Sequence, residues 1–118
     1  MRYMMLIRLD RSTAPAEVPD DAMMEAIGKV IEDMTKAGVL LDTAGLHPIA
    51  EATRISLSGG KLTVLDGPFT ESKEVVGGYF LLQAKSKAEA VEWSSRFLEA
   101  HGPDWEVDVE IRQLDEPA

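Results

Sequence analysis

The chain has 118 residues, a net charge of −9 and no cysteine. That length suits one domain, and the missing thiols exclude disulfides, thiolate metal sites and cysteine nucleophiles. An acidic chain without a basic cluster is a poor candidate for binding nucleic acid or an anionic membrane surface. No segment has transmembrane length or signal-peptide character, so we expect a cytoplasmic protein with no nucleic-acid and no membrane partner.

The first third of the chain predicts a strand, a helix and a second strand. Residues 3–9 form a strand that is apolar on both faces. After a loop, Asp20 or Asp21 caps a helix that ends at Gly38, and residues 39–44 form the second strand. The apolar stripe of this helix has 3.6-residue spacing, which favours a core role over a cofactor site. The stripe consists of Met23, Met24, Ile27, Val30, Ile31 and Met34.

The middle of the chain predicts a hairpin and then a charged turn. Residues 54–57 and 62–65 pair around Gly59-Gly60, a strong two-residue turn signal. The hairpin places Asp66 at the end of a strand, where its carboxylate can accept hydrogen bonds from nearby backbone N–H groups. Gly67-Pro68 stops that strand, and a loop with several charged side chains follows.

The last third predicts a strand, a helix and a final strand. Residues 78–84 form a strand with two apolar faces, and Tyr79 and Leu81 share one of them. Ser86 and Glu89 form a capping box that starts the second helix, and His101-Gly102-Pro103 ends it. The inner face of this helix carries Ala90, Val91, Ser94, Phe97 and Leu98. Val107, Val109 and Ile111 alternate in the final strand with Asp108, Glu110 and Arg112.

This order predicts an α+β fold of ferredoxin-like plan, βαβ-hairpin-βαβ, over residues 1–114, with residues 115–118 as a tail. The first and third core strands are central in that plan, and they are the two with apolar residues on both faces. Two helices cover only one face of the antiparallel sheet. The other apolar face therefore predicts a homodimer in which two sheets face each other.

The charged side of the final strand acquires a role in such a dimer. Glu110 and Arg112 would face the partner sheet, where charged groups must be paired or line a wet cavity. We therefore expect a cleft that is edged by these two residues and by the loop from Asp66 to Glu74. The alternative is an edge strand whose charged face is simply solvated.

Five motifs stand out along the chain: Leu46-His47-Pro48, Asp66-Gly67-Pro68-Phe69-Thr70-Glu71-Ser72-Lys73-Glu74, Gly77-Gly78-Tyr79, Glu89-Ala90-Val91-Glu92-Trp93 and Val109-Glu110-Ile111-Arg112. Together they resemble one known family, the YCII-related proteins, and within it the DGPF subgroup. The resemblance extends from about Tyr3 to Arg112 and implies a dimeric α/β-barrel without an established reaction. It also implies a link to extracytoplasmic-function sigma factors. Smaller relatives carry a histidine in the first helix; residues 20–38 contain none, so a histidine-aspartate mechanism is not expected.

Three functions stay open at the level of the sequence. The first is binding of a small polar or anionic metabolite in the dimer cleft, with no cofactor and no metal. The second is an enzyme in which Asp66 and Glu71 act as acid and base. The third is an interaction module that acts with a sigma factor. The candidate ligand-binding residues are His47, Asp66, Phe69, Glu71, Lys73, Glu74, Glu110 and Arg112.

Overall fold

A computed structural model describes residues 1–9, 21–69 and 76–116, with Leu9 as backbone only. The predicted order of strands and helices is confirmed in these residues. A short 3-10 helix, Ile49–Glu51, precedes the hairpin. The elements are β1 (Arg2–Leu9), α1 (Asp21–Lys36), β2 (Leu40–Gly45), β3 (Thr53–Ser58), β4 (Lys61–Asp66), β5 (Val76–Gln83), α2 (Lys87–Glu99) and β6 (Val107–Gln113).

Four of the strands form one antiparallel sheet in the order β2-β5-β1-β6. The first and third core strands, β1 and β5, are central, as the sequence predicts. Met5 of β1 lies opposite Phe80 of β5 and Ile111 of β6. This order and the two helices match the ferredoxin-like plan. Strands β3 and β4 form a separate two-stranded sheet.

The hydrophobic core lies between the helices and one face of the four-stranded sheet. Met5 and Leu82 are fully buried there, and the ring of Phe80 lies 4.9 Å from that of Phe97 in α2. Each such side chain contributes about 1.5–3 kcal/mol when it is removed from water. The buried cluster consists of Tyr3, Met5, Val30, Met34, Val39, Phe80, Leu82, Ala84, Ala90 and Phe97.

Two side chains predicted on the inner helix faces are exposed instead. Met24 is 57% exposed on α1, and Val91 is 45% exposed on α2. Each directly follows a buried residue, Met23 or Ala90. Adjacent residues are turned by about 100° around a helix, so only one of each pair faces the sheet.

The hydrogen bonds at the end of α1 and at the start of α2 largely follow the prediction. Gly38 has φ 72° after α1, and the amide of Val39 donates to the carbonyl of Met34 over 2.9 Å. At the start of α2, the hydroxyl of Ser86 accepts from the amide of Glu89 over 3.2 Å. The Glu89 carboxylate accepts from the amide of Lys85, one residue earlier than a capping box requires.

An ion pair joins the two helices at their outer surface. The guanidinium of Arg96 in α2 donates to the carboxylate of Asp33 in α1 over 2.6 Å. Lys29 approaches the same carboxylate within 3.2 Å. These two cations hold the pKa of Asp33 below its usual range.

The ends of the described chain lie side by side. The amide of Leu114 donates to the carbonyl of Arg2, and Arg2 forms an ion pair with Glu116. Neither described helix is long and apolar enough to cross a membrane.

Candidate functional site

The face of the four-stranded sheet that points away from the helices carries a strip of apolar side chains; we call it the open face. Met4 lies opposite Leu81, and Leu6 lies opposite Tyr79. Directly opposed residues share one face of an antiparallel pair, so these four side chains form a block. All four are only half-buried, whereas their neighbours on the helix face are largely covered.

A polar pair, which sequence reasoning missed, borders this strip on the β2 side. The hydroxyl of Tyr79 donates to the carboxylate of Asp42 over 3.0 Å. That hydrogen bond and the negative charge of Asp42 raise the pKa of the Tyr79 phenol. Asp42 lies opposite Leu81 because the β2–β5 register shifts between Leu40 and Asp42. In the sequence, Asp42 is recognisable as a lone acid in an apolar strand. No feature of the sequence indicates the register shift that turns this residue to the open face.

A charged margin borders the strip on the β6 side. Glu110 lies opposite Leu6, and Arg112 lies opposite Met4, so both belong to the open face. The predicted alternation of β6 is confirmed, since its three charged residues are exposed and its apolar residues are half-buried. Asp108 approaches Arg8 within 3.6 Å. No ion pair involves Arg112 within the described ranges.

Asp66 lies at the base of the β3–β4 hairpin, as predicted. Its carboxylate accepts a hydrogen bond of 2.8 Å from the hydroxyl of Thr53. The next residue, Gly67, donates its amide to Ala52 over 2.8 Å. A side chain at Gly67 would lie 2.9 Å from the carbonyl oxygen of Ile49, so the turn can pack here only with glycine. The Gly67-Pro68 peptide bond is cis.

Phe69 follows this turn and contacts a cation of the hairpin. The guanidinium carbon of Arg54 lies 4.2 Å from the centroid of the Phe69 ring. That distance is typical of a cation–π interaction, which holds the aromatic ring against β3. Three predicted site residues follow in the chain, and they lie outside the described residues: Glu71, Lys73 and Glu74.

His47 lies in the connection that leads from β2 to the hairpin. Its side chain is 89% exposed, and its Nδ1 lies 3.7 Å from a carboxylate oxygen of Glu51. Among the residues that the structure describes, no three of His, Asp and Glu lie close enough together to hold a metal ion.

The predicted site residues therefore form two groups within one chain. Asp66 and Phe69 lie at the base of the two-stranded hairpin, whereas Glu110 and Arg112 lie on β6 of the four-stranded sheet. The meeting of these two groups in a cleft stays a prediction.

These features define a small α+β protein with one helix-covered and one open sheet face. Residues 1–102 match the YCII-related domain. The chain therefore belongs to the YCII-related family, which confirms the family resemblance; its place in the DGPF subgroup stays a prediction. An uncharacterized protein of Rhizobium meliloti (strain 1021) is 32% identical over 96 residues, which cover 80% of this chain and 77% of that protein.

Proposed function

We propose that the protein is a homodimer that binds a small polar or anionic metabolite in a cleft over the open face. The observation that carries this proposal is the composition of that face. A half-exposed apolar strip is flanked by the Asp42–Tyr79 hydrogen bond on one side and by Glu110 and Arg112 on the other. Apolar area with a few polar groups at its border is typical of a ligand site.

A second copy would complete this cleft. Met4, Leu6, Tyr79 and Leu81 lose contact with water when a second copy of the chain covers them, which favours association. In a dimer with a twofold axis, both copies would contribute the same face to the interface, as in a dimeric α/β barrel. The charged residues at the margin would then line the rim of the cleft, and its centre would be apolar.

The charges favour a polar or anionic ligand. Arg112 has no ion-pair partner among the described residues, and a guanidinium can bind a carboxylate or phosphate through two parallel hydrogen bonds. The hydroxyl of Tyr79 and the carboxylate of Asp42 add directional hydrogen-bonding groups at the opposite border. Lys73 is a second candidate cation on the basis of the sequence. Acid–base catalysis by Asp66 and Glu71, and a sigma-factor partner, stay predictions.

Native mass spectrometry of the purified protein tests the dimer. We expect a dimer for the natural chain and a monomer for Leu6→Asp, because the new charge would be buried between the two copies. Met24→Asp is the matched control, since Met24 is exposed on α1 and lies away from the open face. A monomeric natural chain would overturn the proposal.

The ligand is tested by thermal stability in phosphate or succinate, with chloride at equal ionic strength as the reference. We expect either anion to raise the melting temperature of the natural chain, and Arg112→Gln to abolish that rise. Lys87→Gln on α2 is the control and should keep it. An equal rise in both variants would show that Arg112 does not bind the anion.

A further inference from the structure

The β3–β4 hairpin has an aliphatic face that is exposed to solvent. Ile55 lies opposite Val64, and Leu57 lies opposite Leu62, so the four side chains share one face of the ribbon. They are between 64% and 70% exposed. The other face is mostly polar, with Ser56 opposite Thr63 and Ser58 opposite Lys61.

The base of this hairpin is closed by local contacts. Thr53 and Asp66 are joined by their side chains, and Gly67 packs against the carbonyl groups of the 3-10 helix. At its tip, Gly59 and Gly60 both have positive φ, as a tight two-residue turn requires. The hairpin is therefore a preorganised arm, and little conformational entropy is lost when such an element binds.

We propose that the aliphatic face of this arm packs on the open face of a second copy of the chain. The inference rests on the proposed dimer and adds the element that reaches across it. An exposed apolar ribbon is a hazard for aggregation, which native proteins avoid by covering it. The same chain offers a surface of matching character, with four apolar side chains on the arm and four on the open face.

The area of this contact agrees with what a stable dimer needs. Burying an aliphatic side chain removes on the order of 100 Å² from water, so the arm offers about 400 Å². Twofold symmetry would bury two arms, about 800 Å², and two half-buried strips of the open face, which add a smaller area, so the total lies near the lower end of the range for specific interfaces, about 1,200 Å².

The charges at the ends of the two surfaces are also complementary. Asp66 follows Val64 by two residues in β4, so it continues the aliphatic face of the arm towards its base. Arg112 ends the open face on β6. Packing of the arm would bring Asp66 towards Arg112 of the partner subunit. The cleft would thereby acquire residues from both copies; within one chain these two residues lie in separate sheets.

Cysteine cross-linking tests this contact without background, because the natural chain contains no cysteine. Leu57→Cys is mixed under mild oxidation with Met4→Cys, Leu6→Cys or Leu81→Cys. A disulfide requires Cα atoms within about 7 Å. The proposed packing brings Leu57 that close to at least one of the three positions, so we expect a disulfide-linked heterodimer with that variant. Ser56→Cys, on the polar face of the same strand, is the matched control and should give none.

The oligomeric state separates failure of the arm from failure of the dimer. Leu57→Asp with Leu62→Asp should weaken the dimer at least tenfold, whereas Ser56→Asp with Thr63→Asp should leave it unchanged. Circular dichroism should show that both variants fold, since all four positions are exposed. A natural dimer that survives the aliphatic changes and gives no arm-to-sheet cross-link would overturn the inference alone. A monomeric natural chain would overturn both proposals.

Discussion

The phenol of Tyr79 lies on the open face, and its ionisation is sensitive to the neighbouring groups. Its hydrogen bond to the Asp42 carboxylate stabilises the protonated phenol, and loss of the proton would place a second negative charge beside Asp42, so the pKa of Tyr79 is raised. Folding therefore favours the neutral phenol. That contribution is complete below the usual pKa near 10 and is lost as the pH rises through the raised value.

Asp42→Asn should return the pKa of Tyr79 towards its usual value. The measurement is tyrosinate absorbance between pH 8 and 12 in a Tyr3→Phe background, because the chain has only these two tyrosines. The asparagine keeps a hydrogen-bond acceptor but removes the charge. An unchanged titration would show that Asp42 does not influence the phenol in solution.

The contribution of Asp33 to stability depends on pH in the opposite direction. Arg96 and Lys29 favour its ionised form, so its contribution to stability is present above the usual aspartate pKa and is lost as the pH falls through the lowered value. Asp33→Asn should therefore flatten the fall in the free energy of unfolding between pH 5 and pH 2. Urea unfolding at a series of pH values measures this. Glu32→Gln, which removes an exposed pair with Lys36 on the same helix, should change the curve less.

The turn after β4 depends on the absence of a side chain at Gly67. In Gly67→Ala the new Cβ would lie 2.9 Å from the Ile49 carbonyl oxygen and 3.0 Å from that of Ala50. Since both atoms are backbone, the turn must move, and we expect a loss of about 1–3 kcal/mol in the free energy of unfolding.

Gly28→Ala is the matched control for this substitution. A Cβ at Gly28 meets nothing within 4 Å on α1, so the change should stabilise the protein by about 0.5–1 kcal/mol. Urea unfolding of both variants measures the difference. Equal effects at the two positions would contradict the packing described for the turn.

The start of α2 depends on one hydroxyl. Ser86→Ala removes the acceptor for the Glu89 amide and should cost about 0.5–2 kcal/mol. Ser95→Ala is the control, because the Ser95 hydroxyl donates to a carbonyl of the preceding turn on the exposed side of the same helix. We expect thermal unfolding to show a lower midpoint for the first variant and little change for the second.

At the level of elements, the sequence predicts what depends on local chemistry. Gly38, Gly59-Gly60 and Ser86 mark a helix end, a hairpin tip and a helix start, and all three are confirmed. The place of Asp42 depends on how β2 is paired with β5, which a local pattern does not encode. The inner faces of the helices were predicted one residue too wide at Met24 and Val91, because each follows a buried residue and is turned about 100° away from it.

For the whole molecule, the ferredoxin-like order could be predicted because β1 and β5 are apolar on both faces and must be central. The candidate site was predicted only as a set of residues. Asp66 and Arg112 lie in separate sheets, and the contact proposed between them would join two copies of the chain, whose packing no local pattern specifies. The chain instead presents two uncovered apolar surfaces, the open face and the hairpin arm.

The order β2-β5-β1-β6 also governs how fast the protein can fold. No two neighbours in this sheet are consecutive in the chain, so every ladder must first close a long loop. The β3–β4 hairpin is local and should form within about 1–10 μs, whereas the sheet should need milliseconds to seconds. Stopped-flow refolding at low protein concentration should therefore be slowed by Leu82→Ala in β5 and be insensitive to Leu57→Ala in the hairpin. The hairpin arm would then form, and expose its aliphatic face, before the four-stranded sheet has assembled.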